Sequence, residues 1–387
     1  MGLQRSDIKL LISAQAVEGT IDTNPVFTEI RKTGGSLVSA PTYVTGNEIP
    51  TDGNAPQQVQ DRRETSMSVD FDMSQETAKY FEALIHGAQT DNGQAASTGI
   101  EATATGYVMP AGHVSGLSVG DWFGILGSTN ADLDTAYKVA SIDSATEITT
   151  SQAPAATEAA GASIVMSSLK CSNGTQRTVL TTQQRVLDNS KVGNIAYKTV
   201  KDTLMDTGSI SIEKSGIVTG SFGAKMGNPE AGTAAIAGQT DATVDTSDSV
   251  SAINNTKMLY VDGQNIGCVL STMGIEFANN FVGDEGGAGG CTEEFGRGVI
   301  SLSGSLIAKT FADSSTQWAD RRDNGTRVAL AAHMTWPDDR WMVIEITRAV
   351  VTEHSFTDGE IVENEMSYTA EGDATTGATI QIFRNWV

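Results

Sequence analysis

The stretch TSMSVDFDMSQETAKYFEALIHG, residues 65–87, changes its hydrophobic period in the middle. Met67, Val69, Phe71 and Met73 alternate with Ser68, Asp70 and Asp72, the period of two that half-buries a strand. From Ser74 onward Phe81, Leu84 and Ile85 fall on one helical face, with Ser74 as N-cap, Glu76 in the first turn and Gly87 as the stop. The unit is a strand that runs directly into a short helix.

Upstream, SLVSAPTYV (36–44) reads as a second strand, and IPTDGNAPQQVQDRRE (49–64) separates the two. A hairpin needs about two to five connecting residues, so this polar stretch, punctuated by Pro50, Gly53 and Pro56, is an arm and not a turn. Its run DRRE, Asp61 to Glu64 with Arg62 and Arg63 between, is placed to form ion pairs with a neighbour, and Asp52 is a further candidate for that contact surface. Exposed pairs of that kind contribute only ~0–1 kcal/mol each, so repetition would give them their weight.

The same order recurs downstream. MGIEFANNF (273–281) reads as a strand and VGDEGGAGGCTEEFGRG (282–298) as a second polar arm. In VISLSGSL (299–306) Ile300, Leu302 and Leu306 alternate with serines, and FADSSTQWADRRDNG (311–325) is a shorter helix carrying Phe311 and Trp318. NGTQRTVLTTQQ from Asn173 pairs with NGTRVALAAHMTW from Asn324, and SGIVTGSFGAKMG (215–227) with DGEIVENEMSYTAEG (358–372). An internal duplication with roughly 87 extra residues in the first copy accounts for the spacings.

The expected domains are therefore 1–94 with 167–235, an inserted β module at 95–166, a polar linker at 236–255, and 256–387. Within the module, VGDWFGI places Trp122 and Phe123 as seeds of a small barrel core. Because the second copy omits the module, it is expected on the outside and dispensable for assembly. Tyr80, Phe81 and Trp318 are expected to dock their helices on the sheets.

Composition narrows the function. Forty-seven acids against 25 bases give a net charge of −22, which repels nucleic-acid phosphates instead of neutralising them. No apolar run approaches the ~20 residues that span a bilayer, and the N-terminus has no secretory pattern. Cys171, Cys268 and Cys291 share no metal-type spacing and read as reduced thiols of a chain made in the cytoplasm. His86, His113, His333 and His354 lie in separate segments and read as packed or solvated; no nucleophile elbow, phosphate loop or zinc motif occurs. The carboxylates Asp284, Glu285, Glu293 and Glu294 lack the ordered spacing of a calcium loop and read as an interface arm. No catalytic residue, cofactor or metal is expected.

The order of these segments resembles the major tail tube proteins of long, non-contractile bacteriophage tails, in their duplicated form. The carriers are residues 36–64 with the strand and helix that follow, IAYKTVKDTLMDTGSISIEKSGIVTGSFGAKMG (195–227), and LSVGDWFGILGSTNADLDTAYKVASIDSATEIT (117–149). The resemblance implies a mainly β fold: two tandem β-sandwich domains, each with one flanking helix and a long assembly loop, plus a small β-barrel-like insertion in the first. It implies rings of three chains with pseudo-sixfold appearance, stacked into a virion tail tube that is assembled in the host cytoplasm. It implies as partners the chain itself, a tape measure protein in the lumen, tail terminator and distal tail proteins, and DNA that passes without specific binding. Edge pairing around a closed ring would dispose of unpaired strand edges, and an acidic lumen would let a polyanion slide. The two arms would be ordered only against an adjacent ring. The competing class is a surface-exposed virion or secreted β module that recognises a carbohydrate or receptor.

Overall fold

The computed structural model describes residues 8–45, 58–187, 195–213, 215–227, 230–232, 234–244, 246–252, 256–262, 264–265, 270–283, 295–309, 314–336, 338–356, 362–373 and 377–386. The fold is mainly β. Strands β1 (Ile8–Ala14), β2 (Val26–Glu29), β3 (Gly34–Thr45) and β4 (Gln58–Asp72) precede helix α1 (Gln75–Leu84). Strand β5 (Ala88–Asp91) leads into the inserted module and β6 (Leu169–Ser172) leads out of it, followed by β7 (Leu180–Leu187), β8 (Ile195–Glu213) and β9 (Thr219–Met226). The second half runs β10 (Thr256–Val261), β11 (Leu270–Ala278), β12 (Ser301–Lys309), α2 (Ser314–Asp323), β13 (Arg327–Thr335), β14 (Trp341–Phe356), β15 (Glu363–Ala370) and β16 (Ile380–Arg384).

One long antiparallel sheet crosses the molecule in the order β3–β4–β9–β8–β11–β12–β15–β14. The alternation in residues 65–73 takes its expected form: Met67, Val69, Phe71 and Met73 are buried and Ser66, Ser68 and Asp70 exposed. Two further sheets cover the core. The first-half sheet is β2–β1–β7–β8, and the second-half sheet is β5–β6–β16–β14–β13–β10. The long strands β8 and β14 belong to two sheets each, and each changes register near a bulge, at Asp206 and Thr352 respectively. An extra residue in one strand of a pair bends that strand and re-aims it.

The bulges align the halves residue by residue. Phe222 opposite Val69 in the first half corresponds to Met366 opposite Leu306 in the second. On this register Thr182 of β7, opposite Val200, matches Leu330 of β13, opposite Ile346. That is 148 positions, not the 151 between the two Asn-Gly-Thr motifs. The motifs are not equivalent: Asn324–Gly325 turns from α2 into β13, whereas Asn173 accepts the N–H groups of Thr379 and Ile380 through its side chain at 2.7 and 2.9 Å. A turn signal recurs wherever a turn is needed, so matching one does not fix a register.

Helix α1 starts at Ser74, whose Oγ accepts from Thr77 N while Thr77 Oγ1 accepts from Ser74 N at 2.6 Å. It ends differently from expectation. His86, not Gly87, takes the left-handed turn, at φ 48°. Gly87 is needed for closeness: a Cβ there would lie 1.9 Å from Ser172 O. His86 is fully buried, its Nδ1 accepting from Thr178 N at 3.0 Å and its Nε2 donating to Met205 O at 2.9 Å.

Burial pulls the His86 pKa from 6.5 down to about 4. Between those values the unfolded chain binds a proton that the folded chain refuses. Stability is therefore complete above pH 6.5 and declines as pH falls toward 4, by roughly 3 kcal/mol in all. Asn tolerates the left-handed conformation. Chemical denaturation at pH 7 and pH 5 should show wild type losing about 2 kcal/mol more than His86→Asn; equal losses would mean that the ring charges in place.

Candidate assembly interface

The seam between the halves is the pairing of β8 with β11, from Thr207 opposite Ala278 to Glu213 opposite Thr272. On its core side Ile210, Ile212, Met273, Ile275 and Phe277 are buried. Asn279 fastens its end: its N–H donates to Asp206 O at 2.8 Å, and its Nδ2 donates to Leu84 O and Met205 O at 2.7 and 3.0 Å. A residue from the second half thereby satisfies a carbonyl in the last turn of α1.

The other face of the long sheet is polar. Ser68, Ser221 and Ser209 on β4, β9 and β8 and Ser303 and Ser367 on β12 and β15 line it, with Ser209 and Ser221 hydroxyls 2.8 Å apart. The carboxylates Asp70, Glu213, Glu276, Glu353 and Glu365 share this face with Lys225 and Lys309. Among the described residues, short hydroxyl side chains and scattered carboxylates leave no apolar or strongly basic patch on it.

Strand β3 pairs only with β4, and residues 353–356 of β14 only with β15, among the described residues. These two edges are the equivalents of the strands already joined at the seam. Register through β4 and β12 places Leu37 with Ile275 and Pro41 with Asn279; register through β9 and β15 places Ser209 with Ser355. Pro41 thus stands where Asn279 uses its N–H across the seam, and proline has none to offer. Apolar side chains are exposed along both edges: Val38 51%, Tyr43 54% and Val44 54% on β3, and Phe356 53% on β14.

The expected arm residues fare unequally. Asp61, Arg62, Arg63 and Glu64 belong to β4, which starts at Gln58, so this part of the arm is strand paired with β3 and not loop. Long hairpins can extend through polar sequence when each residue is matched by a partner, and the apolar alternation that stops at Thr65 marks only the buried part. Asp52, Asp284, Glu285, Glu293 and Glu294 lie outside the described residues. Within the second arm, Val282–Gly283 pairs with Phe295–Gly296. Sequence reasoning passed over the β3 and β14 edges; the signals available were Gly34–Gly35, Pro41 and the unalternated Tyr43–Val44.

The inserted module corrects another reading. Its strands form a separate seven-stranded sheet whose core includes Tyr107, Phe123, Ile125 and Tyr137. Trp122 lies on the opposite face and packs with Tyr260, Trp341, Val343 and Phe383 of the second half, since successive strand residues point to opposite sides. Both Trp122 and Phe123 are 0% exposed, so neither offers a ring to a sugar. Described parts of the stretch 236–255 also pack back: Thr240–Asp241 pairs with Val26–Phe27, and Val250 exchanges backbone bonds with Met73 and Val218. No cluster of metal-ligating side chains, and no helix long and apolar enough to cross a membrane, occurs among the described residues.

A family model described as phage tail tube protein matches residues 5–374, nearly the whole chain. Comparison with curated proteins gives no match.

Proposed function

Since the chain belongs to the phage tail tube protein family and is a structural component of the virion, we propose that it is a duplicated subunit, three of which close into a pseudo-sixfold ring. The seam between β8 and β11 carries this reading. A chain that joins two equivalent edges internally, and leaves the same two edges free at its ends, can repeat that joint head to tail until it closes. The edge of β14 in one chain would pair with β3 of the next, and closure would remove both exposed edges. The hydroxyl and carboxylate face of the long sheet would line the channel, and its described residues offer DNA no cation cluster to hold it.

Rings would then stack into the tube of a long, non-contractile tail, built in the host cytoplasm. It would enclose a tape measure protein before ejection and join terminator and distal tail proteins at its ends. The two arms, with Asp52, Asp61, Arg62, Arg63 and Glu64 in one and Asp284, Glu285, Glu293 and Glu294 in the other, would make the contacts between rings.

Transferred to the free edges, the pairing of Ser209 with Glu276 sets Ser355 opposite Val38 of the next chain. Directly opposed residues stand about 4.5–5.5 Å apart at Cβ, within reach of a disulfide after small adjustment. In a background without the native cysteines, Ser355→Cys with Val38→Cys should give, on oxidation of assembled tubes, a closed three-chain species in denaturing gels. Symmetry analysis of the same tubes by electron microscopy should show three chains per ring. Six full chains per ring would refute the duplicated-subunit reading, and tubes that never cross-link would refute the edge register alone.

A further inference from the structure

The two halves shield the outer faces of their covering sheets in different ways. In the first half, Gln183, Arg185 and Thr199 face outward, Arg185 stacks between Phe27 and Tyr197, and its guanidinium pairs with Asp241 at 2.6 and 2.7 Å. The equivalent second-half positions are Ala331, His333 and Glu345. There the inserted module supplies the cover, although it is grown from the first half.

Its attachment is specific at both ends. Strand β6, at the root of the module, pairs with β16 from Leu169 opposite Arg384 to Ser172 opposite Gln381, adding first-half strands to the second-half sheet. The module body is locked to that root by Lys170 on Asp121 at 2.6 Å and by Ser168 Oγ donating to Trp122 O at 2.7 Å. At its far contact Trp122 Nε1 donates to Glu345 Oε2 at 2.7 Å, and Lys138 pairs with the other oxygen of the same carboxylate. Glu345 is 3% exposed, so it is desolvated and needs both partners. Gly124 lets the two surfaces meet: a Cβ there would fall 2.1 Å from Trp341 Nε1.

We infer that the inserted module is a brace that fixes one half of the chain against the other, with Trp122, Lys138 and Glu345 as its latch. Beyond its own ladder and the bonds that Asn279, Asn173 and Arg384 make between the halves, the seam of β8 with β11 then gains a strut across the opposite side of the core. The α2–β13 connection is the short turn at 324–326 and carries no module, so an edge joint formed by β14 would lack this strut. The inference rests on the fold of one chain and stands whether or not rings form.

Gly124→Leu wedges the module off Trp341 while leaving both module core and seam untouched. Amide exchange in the free full-length chain should then speed up at least about tenfold across residues 207–213 and 272–278, while β4 and α1 stay at wild-type rates. Adding Trp341→Ala, which makes room for the leucine, should restore the slow exchange. Faster exchange confined to the module and to β13, β14 and β16, with the seam unchanged, would show a cover and not a brace. Should Gly124→Leu fail to fold, Glu345→Gln releases Lys138 without a change of shape, and the same seam amides decide the matter.

Discussion

Ser39→Pro should leave the free chain folded and stop it from closing into rings. Strand β3 already carries Pro41, whose missing N–H would point away from β4, since its counterpart Asn279 uses that N–H across the seam. Residues two apart in a strand direct their backbone groups to the same side, so position 39 is a second outward one. Proline there removes no hydrogen bond to β4, and its φ suits an edge strand. Inside the chain the cost is the contact from Thr65 Oγ1 to Ser39 Oγ at 3.2 Å. In the proposed ring the substitution deletes a donor at every joint between chains and sets a pyrrolidine ring against the arriving strand. Circular dichroism and melting of the subunit should match wild type, while the concentration needed for assembly, read by sedimentation, should rise at least about tenfold. Wild-type assembly would show that β3 is not the closing edge.

Glu82→Ala should be the most destabilising change in the chain that touches no large apolar side chain. Glu82 sits on α1 of the first half and Arg384 on β16 of the second, 6% and 3% exposed. Arg384 Nη2 donates to Glu82 Oε2 at 3.0 Å and Nε to Oε1, and Gln89 Nε2 also donates to this carboxylate. Its guanidinium lies 5.5 Å over the Trp386 ring. Deleting the carboxylate strands a buried cation, which costs about 3–5 kcal/mol. Replacing both partners, as Glu82→Leu with Arg384→Met, should recover most of that loss, because no charge is then left without its counterpart. Denaturant unfolding of the three chains settles it: a loss under about 1 kcal/mol for Glu82→Ala would mean that water reaches the guanidinium.

What could be read in advance followed the strength of the local signal. The switch of period at Ser74 placed β4 and α1 because core burial and capping are written in adjacent residues. The matching order downstream was legible for the same reason, through Leu302, Leu306 and Trp318. The alignment of Asn173 with Asn324 failed because turn residues report geometry and not ancestry. Trp122 was assigned to the wrong core, since a residue's type says that it is buried but only its neighbour's direction says where. The links from Glu82 to Arg384 and from Lys138 to Glu345 join residues hundreds of positions apart, and nothing local announces them. The charged arms stand out in the sequence as polar runs, whereas the described edges of β3 and β14 are marked by an absence of partners, which a sequence does not display.

The contrast between Pro41 and Asn279 bears on how such a protein can change over generations. In a ring of identical single-unit subunits one gene position governs every joint, and a substitution must suit all of them at once. In the proposed ring the joint within the chain is specified by Asp206 and Asn279, and its counterpart at the free edges would be specified by Thr352 and Pro41. Each can be altered without rewriting the other. The internal joint is inherited as a fixed part of one polypeptide, so selection on how readily chains associate would act on the proposed outer joint alone.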